Sequence, residues 1–393
     1  MTATTIPDAS PGSAASAPAA PRAGRLVSLD ALRGFDMFWI IGADDVIHAL
    51  ARATGWPAAN DLAYQFDHSA WAGFRFYDLI FPMFVFIVGT SAVFALGKRL
   101  ATKGRGAAVR HVIVRGVILY LFGILYYGNR ADTYFDPRLM GVLQRIAIAY
   151  TATGLLFCFF SPRVLAGVLV GLLAAYWAVM SFVPAPGQKH VSFDPGQNIA
   201  NWVDMHYLPF YKWDPEQRPR PSDGLYDPEG ILSSIPAVAT CLLGLFAGLL
   251  LKETRTAPLQ KVLVLVAGGA ALAALGFLWG HQFPVIKKLW TSSFVLVAGG
   301  YSAMLLGLFY LVIDVAGLRF WTRPFLWIGM NAITLYLLWE FVKFDAIANH
   351  LLFAGYGRQV LGGYFGLATA TLALALILLV ARFLYKRQIF LRV

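Results

Sequence analysis

A histidine, two carboxylates and an arginine gather within residues 67–78, directly before a long apolar run. His68 has an unperturbed pKa of about 6.5, so its ring can act as a general base near neutral pH. Asp67 or Asp78 is close enough in sequence to orient that ring. Ionisable groups at the mouth of a membrane segment are costly and therefore suggest function. We predict His68 and Asp78 as catalytic residues; a surface histidine without a partner is the competing interpretation.

Further polar and aromatic residues are candidates for binding an acceptor substrate. Asp67 and Trp71 flank His68 in the same segment, and Asp227 and Glu229 precede another apolar run. These two carboxylates close a long segment, 184–230, that is rich in Trp and Tyr. Carboxylates beside aromatic rings suit an amine or sugar hydroxyls. An interfacial aromatic belt would explain the rings equally well.

Four more candidates lie at membrane depth. Arg145 lies just inside an apolar run, too deep for an unpaired cation, so we expect a carboxylate partner. Lys288 and Trp290 belong to a polar segment at 287–294, and Asn331 interrupts another apolar run. A buried amide must find a hydrogen-bond partner, so bonding between helices is an equally good explanation of Asn331.

The composition places these residues in a membrane protein. Hydrophobic residues make up 58% of the chain and charged residues only 13%, and the mean hydropathy is +0.62. The net charge of +11 comes from short basic clusters between apolar runs, which is typical of topology signals and excludes nucleic-acid binding. Cys158 and Cys241 lie within apolar runs, so we predict neither a disulfide nor a metal site.

The apolar runs predict an all-α polytopic membrane protein with about ten transmembrane helices. Residues 1–24 read as a disordered Ala/Pro/Ser-rich tail, and 25–393 as the transmembrane domain with a large outer loop at 184–230. The runs lie near 31–52, 78–97, 110–127, 141–160, 163–183, 231–251, 261–280, 292–313, 323–341 and 361–384.

Basic residues beside the short loops set the predicted orientation. They place both termini in the cytoplasm, and six of the seven histidines, including His68, on the outer side. Lys287 and Lys288 lie on the outer side against this rule. We therefore expect any chemistry to face outward.

Several segments together resemble the heparan-alpha-glucosaminide N-acetyltransferase family. They are S-L-D-A-L-R-G at 28–34, H-x-x-W-x-G at 68–73, D-L-I-F-P at 78–82, G-V-L-Q-R-I at 141–146, D-P-E-G at 227–230, K-L-W-T-S-S-F at 288–294 and N-A-I at 331–333. The resemblance covers nearly all of the chain after residue 24. It implies an acyltransferase that moves an acetyl group from cytoplasmic acetyl-CoA to the amino group of an amino sugar.

The resemblance also implies roles for particular residues and partners. His68 matches the family's active-site loop histidine, while Arg33 and Asp30 are our candidates for CoA binding, since Arg33 can meet a phosphate. We expect a bacterial-type inner (plasma) membrane relative that lacks the lumenal domain of lysosomal members. Its expected partners are acetyl-CoA as co-substrate, an amino-sugar acceptor, membrane lipid and, by family analogy, a second copy in a homodimer. We expect no metal.

Two questions stay open at the level of sequence. His68 is either the base that deprotonates the acceptor amine or a transient acetyl carrier. Because the bilayer core is about 30 Å thick, CoA bound at the cytoplasmic end must reach an outer histidine through a deep funnel.

The alternative function is an amino-sugar permease without covalent chemistry, although we find no internal repeat of the kind that transporters often show. A scaffold role would leave His68, Asp78 and Arg145 unexplained.

Overall fold

The computed structural model describes residues 26–128, 137–209 and 227–391, and these residues form an all-helical bundle. Apart from one isolated bridge between Ala72 and Ile286, the described residues contain no β-structure. The helices are α1 (Val27–Phe38), α2 (Asp44–Thr54), α3 (Pro57–Phe66), α4 (Phe76–Gly128), α5 (Val142–Phe159), α6 (Pro162–Phe182), α7 (Ile199–Tyr207), α8 (Ser234–Lys252), α9 (Pro258–Trp279), α10 (Ser292–Phe309), α11 (Arg323–Gly329), α12 (Ala332–Phe341), α13 (Phe344–Leu351), α14 (Ala354–Leu361) and α15 (Phe365–Lys386).

Seven helical segments are long and apolar enough to cross a membrane, which confirms the all-α, multi-pass prediction. Three places explain why this number is smaller than the predicted ten. Segment Phe76–Tyr127 has 52 residues and covers two predicted runs, with a non-helical break at Gly104. The first predicted run is divided by a π-helical turn, Trp39–Ala43, and the ninth is divided between α11 and α12. The count of ten and the location of the termini remain predictions.

The predicted tail, 1–24, lies outside the described residues, as do parts of the predicted outer loops, 129–136 and 210–226. The two cysteines are free and buried, in agreement with the sequence reading.

The centre of the bundle is built by α4, α5, α8 and α10, and α4 packs along both α5 and α8. The residues that pack together between these helices are largely hydrophobic. The side of a membrane helix that faces lipid is hydrophobic as well. Helices α4 and α8 cross with their backbones in contact at Gly89 and Gly244. A Cβ on either glycine would come within 1.9 Å of a carbonyl oxygen of the other helix. The crossing therefore depends on small residues, as membrane helix interfaces commonly do.

The break between α11 and α12 falls at Met330 and Asn331, where the sequence had predicted one continuous span. The Asn331 side chain donates to the Trp327 carbonyl at 3.4 Å, while its buried Oδ1 accepts no hydrogen bond from the described residues. The hydrogen bond that we expected for the Asn331 amide is therefore a local one, to a carbonyl four residues earlier. Within the described residues this amide makes no hydrogen bond to a distant helix.

Candidate functional site

His68 and Asp78 form a hydrogen-bonded pair at the start of α4. His68 lies in the loop after α3, and Asp78 lies in the first turn of α4. Nδ1 of His68 is 3.0 Å from Oδ1 of Asp78. The second carboxylate oxygen accepts the backbone N–H groups of Ser69, at 3.1 Å, and Arg75, at 3.2 Å. The fully buried Asp78 thereby holds together the loop between α3 and α4 and fixes the position of His68 in that loop.

The contact with Asp78 assigns the tautomer of the ring. An ionised carboxylate can only accept a hydrogen bond, so we place the hydrogen on Nδ1, and Nε2 keeps its lone pair. In this tautomer Nδ1–H and the Lys287 ammonium are both donors, so their 3.0 Å contact is an interaction through charge and not a hydrogen bond. The ring also packs against Tyr77, with centroids 4.9 Å apart, while 54% of the His68 side chain stays exposed. A carboxylate-oriented imidazole that substrate can reach is the arrangement of a general base.

Lys287 is the third member of this cluster. Its Nζ lies 3.0 Å from Nδ1 of His68 and 3.4 Å from Oδ1 of Asp78. The ammonium and, after it, burial lower the pKa of His68 below its usual range, although Asp78 opposes the shift. Burial likewise lowers the pKa of Lys287 itself, again against Asp78. This lowering of the pKa favours the neutral ring of His68, which is the form a base needs.

The loop between α9 and α10 brings Lys287 to the histidine loop. Ala72 and Ile286 form the isolated bridge, and the Gly73 N–H donates to the Val285 carbonyl at 2.9 Å. Within the second loop, the Thr291 hydroxyl accepts the Ile286 N–H at 3.1 Å and so holds the turn around Lys287. The polar residues of the K-L-W-T-S-S-F segment therefore shape this loop.

Arg138, Asp227 and Glu229 make a second, buried charge cluster. The Arg138 guanidinium donates to both oxygens of Asp227, at 3.0 and 2.6 Å, and to Glu229 Oε2 at 2.5 Å. Asp227 and Arg138 are nearly inaccessible, whereas 14% of Glu229 stays exposed. Asp227 is therefore occupied in holding Arg138, and Glu229 is the carboxylate left facing open space.

Arg145 lies at the first turn of α5, as the sequence indicated, but its expected carboxylate partner was wrong. Among the described residues its guanidinium donates to the Ser233 hydroxyl and, at 3.0 Å, to the Pro228 carbonyl. It also lies over the Trp290 ring, 4.6 Å from the centroid. Neutral oxygens and an aromatic face replace the ion pair.

These groups surround a cavity of about 480 Å³, a volume typical of small-molecule sites. Six of the residues proposed from the sequence line it: His68, Asp78, Arg145, Glu229, Lys288 and Trp290. Apolar residues continue the lining along α4 as far as Phe84 and along α1 to Met37. Phe84 is six residues beyond Asp78, or about 9 Å along the helix, so the cavity extends inward from the histidine.

The other proposed residues lie outside this lining. Asp67 pairs with His48 at 3.6 Å, and the Trp71 indole donates to the Phe193 carbonyl at 2.9 Å. Both residues therefore shape the loops around His68 and do not face the cavity. Asp227, held by Arg138, is likewise not among the lining residues.

Asn331, Arg33 and Asp30 also lie outside the cavity lining. Arg33 donates to Ser91 Oγ at 2.6 Å and lies 3.5 Å from Asp30. The bond to Ser91 joins α1 to α4, whereas the pair with Asp30 lies within α1. The CoA-binding role of Arg33 and Asp30 stays a prediction.

Sequence reasoning missed two residues of the site. Arg138 lies in a segment read as an outer loop, and its proline neighbour gave no sign of burial. Lys287 was noted only as an exception to the orientation rule. That exception was the available signal, because a cation kept on the outer side against the positive-inside tendency needs a reason.

The fold and the site define a multi-pass helical membrane protein with an acid–base cluster at the mouth of an internal cavity. Residues 25–215 match the model of the heparan-alpha-glucosaminide N-acetyltransferase catalytic region. The chain is 26% identical over 383 residues to the heparan-alpha-glucosaminide N-acetyltransferase of Mus musculus and 27% identical over 390 residues to that of Homo sapiens. Each match covers 83% of this chain and 56% of the relative, so the chain spans about half the length of the curated relatives it matches. These matches confirm the resemblance to this family.

Proposed function

We propose that this protein is a transmembrane acetyltransferase, which transfers an acetyl group from cytoplasmic acetyl-CoA to the amino group of an amino sugar on the outer side of the inner (plasma) membrane. The observation that carries the proposal is the 3.0 Å contact of His68 with the buried Asp78 at the mouth of the cavity. The names of the relatives support the reaction class.

In this reaction the acceptor amine attacks the thioester carbonyl carbon. Nε2 of His68 takes a proton from the amine nitrogen as the C–N bond forms, and the C–S bond breaks. The same proton then passes to the CoA thiolate, so the products are an N-acetyl amino sugar and free CoA thiol. A base that is neutral near pH 7 suits both steps. Asp78 holds the ring in the required tautomer and stabilises the imidazolium that forms.

Other groups of the cavity have separate tasks in this proposal. Lys287, Lys288 and Arg145 place positive charge where the carbonyl oxygen becomes negative. Glu229 offers a carboxylate to an ammonium or a sugar hydroxyl. The apolar inner part, with Phe81 and Phe84, suits the acetyl group and the uncharged pantetheine arm.

The test uses purified protein in detergent with radiolabelled acetyl-CoA and glucosamine. We expect N-acetylglucosamine to form with the wild type and the rate to fall by about 10²- to 10⁴-fold in His68→Ala. The matched control is His281→Ala, an exposed histidine at the end of α9. Full activity in His68→Ala would contradict the catalytic role.

A second measurement separates the two routes through His68 and the permease alternative. Denaturing the enzyme near neutral pH after mixing it with labelled acetyl-CoA alone retains label on the protein if the ring carries the acetyl group, whereas an acid quench would hydrolyse an acetyl-imidazole; direct attack leaves the protein unlabelled. Glucosamine uptake into proteoliposomes without acetyl-CoA, together with no transfer by the wild type, would replace the enzyme by a permease.

A further inference from the structure

A second cavity is lined by the C-terminal end of α12, beyond the residues of that helix that line the histidine site. Its volume is about 540 Å³, and α2, α12, α13, α14 and α15 surround it. On α12, Ile333 and Tyr336 line the first cavity, while Trp339 and Glu340 line the second. The two cavities share no lining residue. The Trp339 ring also packs on Gly42, where a Cβ would come within 2.4 Å of the indole, and this contact helps to separate them.

The lining of this second cavity carries both signs of charge in equal number. The acids are Asp45, Glu340 and Asp345, and the bases are Arg52, Lys343 and Arg358. Glu340 and Thr369 are the buried polar residues of the lining, 4% and 8% exposed. The remaining charged groups lie at the exposed rim.

Most of these opposite charges do not neutralise each other. Lys343 lies 3.8 Å from Glu340. Within the described parts of the chain, no carboxylate comes within 4.0 Å of Arg52 or Arg358, and no Lys or Arg nitrogen comes that close to Asp45 or Asp345. Both signs therefore remain available around one space, and a ligand that carries both charges would satisfy them.

The chemistry of the rim identifies the two ligand groups. Guanidinium groups such as Arg52 and Arg358 suit a phosphate, to which they donate paired hydrogen bonds. Carboxylates such as Asp345 and Asp45 suit a primary ammonium, which donates hydrogen bonds. A quaternary ammonium has no hydrogen to donate, and a head group without an amine leaves the acids unpaired.

The surroundings of the cavity favour a lipid over a dissolved molecule. Helix α14 and the turn before it expose large apolar side chains, namely Phe353 at 76%, Tyr356 at 71% and Val360 at 62%. On a multi-pass membrane protein such a surface is covered by acyl chains. After Phe365, the wall from α15 includes the small residues Gly366, Ala370 and Ala373, which leave room for a chain along the helix.

We propose that this cavity binds the head group of a phospholipid that carries both a phosphate and a primary amine, of the phosphatidylethanolamine class. Arg52 and Arg358 hold the phosphate, and Asp345 and Asp45 hold the amine. The site is separate from the proposed acetyl transfer, and binding does not require acetyl-CoA.

Native mass spectrometry of the detergent-solubilised protein tests the proposal with three lipids of identical acyl chains. We expect phosphatidylethanolamine to bind about tenfold more tightly than phosphatidylglycerol or phosphatidylcholine. The double variant Arg52→Glu, Arg358→Glu should lose that tight binding. The double variant Arg163→Glu, Arg255→Glu, which changes two exposed arginines elsewhere, should keep it.

Asp345→Asn provides an independent arm, since it removes an amine partner and leaves the arginines. Phosphatidylethanolamine should then lose its advantage over phosphatidylglycerol, whereas phosphate recognition remains. Equal binding of all three lipids by the wild type, or undiminished binding by the folded Arg52→Glu, Arg358→Glu variant, would overturn the proposal. Equal affinity for glycerophosphoethanolamine, which lacks acyl chains, would assign the cavity to a soluble zwitterion.

Discussion

Lys287 Nζ lies 3.0 Å from Nδ1 of His68, although 219 positions separate the two residues in sequence. Among the described residues, charged and titratable groups around His68 include Asp78, Tyr77, Lys287 and Lys288, and the Arg75 guanidinium donates to the His68 carbonyl at 3.2 Å. The two lysines lower the pKa of His68, Lys287 more strongly, and Asp78 raises it. The lysine therefore sets the pH range in which the proposed base is neutral.

Replacing Lys287 by Met should move the acidic limb of the kcat/KM profile to higher pH. The sign follows from the charge: without the ammonium the pKa of His68 rises, so a higher pH is needed to obtain the neutral ring. The measurement is acetyl transfer across pH 5 to 9, a range chosen because it brackets the usual histidine pKa of about 6.5. Lys288→Met is the matched control and should shift the limb less. An unmoved limb in Lys287→Met would show that the lysine does not tune the base.

Asp78→Asn should lower kcat by about 10²- to 10⁴-fold while leaving a folded protein. The amide keeps the shape but presents an N–H group as well as an oxygen, so it no longer fixes the Nδ1–H tautomer or stabilises the imidazolium. Initial rates at saturating acetyl-CoA measure the effect. Asp61→Asn, at an exposed carboxylate on α3, is the control and should retain wild-type rates.

Arg138→Leu should destabilise the protein by about 3–5 kcal/mol, since it leaves the carboxylates of Asp227 and Glu229 buried without their cation. Thermal unfolding in detergent, followed by tryptophan fluorescence, should show a lower Tm. Arg163→Leu removes an exposed arginine and should leave the Tm unchanged. An unaltered Tm in Arg138→Leu would mean that water replaces the guanidinium at little cost.

Gly244→Ala should destabilise the crossing of α4 and α8 by about 1–3 kcal/mol, because the new methyl group would meet the Phe86 carbonyl oxygen at 1.9 Å. Gly171→Ala in α6 is the matched control, since a Cβ there has no neighbour within 4 Å. Alanine is the better helix former by about 0.8–1.0 kcal/mol, so the control should unfold at the same or a higher temperature. Thermal unfolding of both variants distinguishes packing from helix propensity.

Local relationships in this molecule could be predicted from sequence, and distant ones could not. His68 and Asp78 stand ten positions apart across the start of one helix, so their proximity follows from the chain itself. The contact of His68 with Lys287 depends on the bridge between two loops, which no spacing indicates.

The same limit applies to the second charge cluster and to the helix breaks. Arg138 and Asp227 are 89 positions apart, and part of the chain between them looked like an ordinary polar loop. Hydropathy finds apolar runs, but it does not distinguish a continuous span from the pair α11 and α12. The only sign of this helix break in the sequence was Asn331, a polar residue in an apolar run that needed a hydrogen-bond partner.

The bridge between Ala72 and Ile286 has a consequence for biosynthesis. Ribosomes add about 5–20 residues per second, so roughly 10–45 s pass between the synthesis of His68 and that of Lys287. During this time the histidine loop lacks both the loop between α9 and α10 that pairs with it and its lysine. Nascent chains released before residue 287 would enter the bilayer without a complete site, and two separately expressed fragments divided between α8 and α9 would have to meet before either could work.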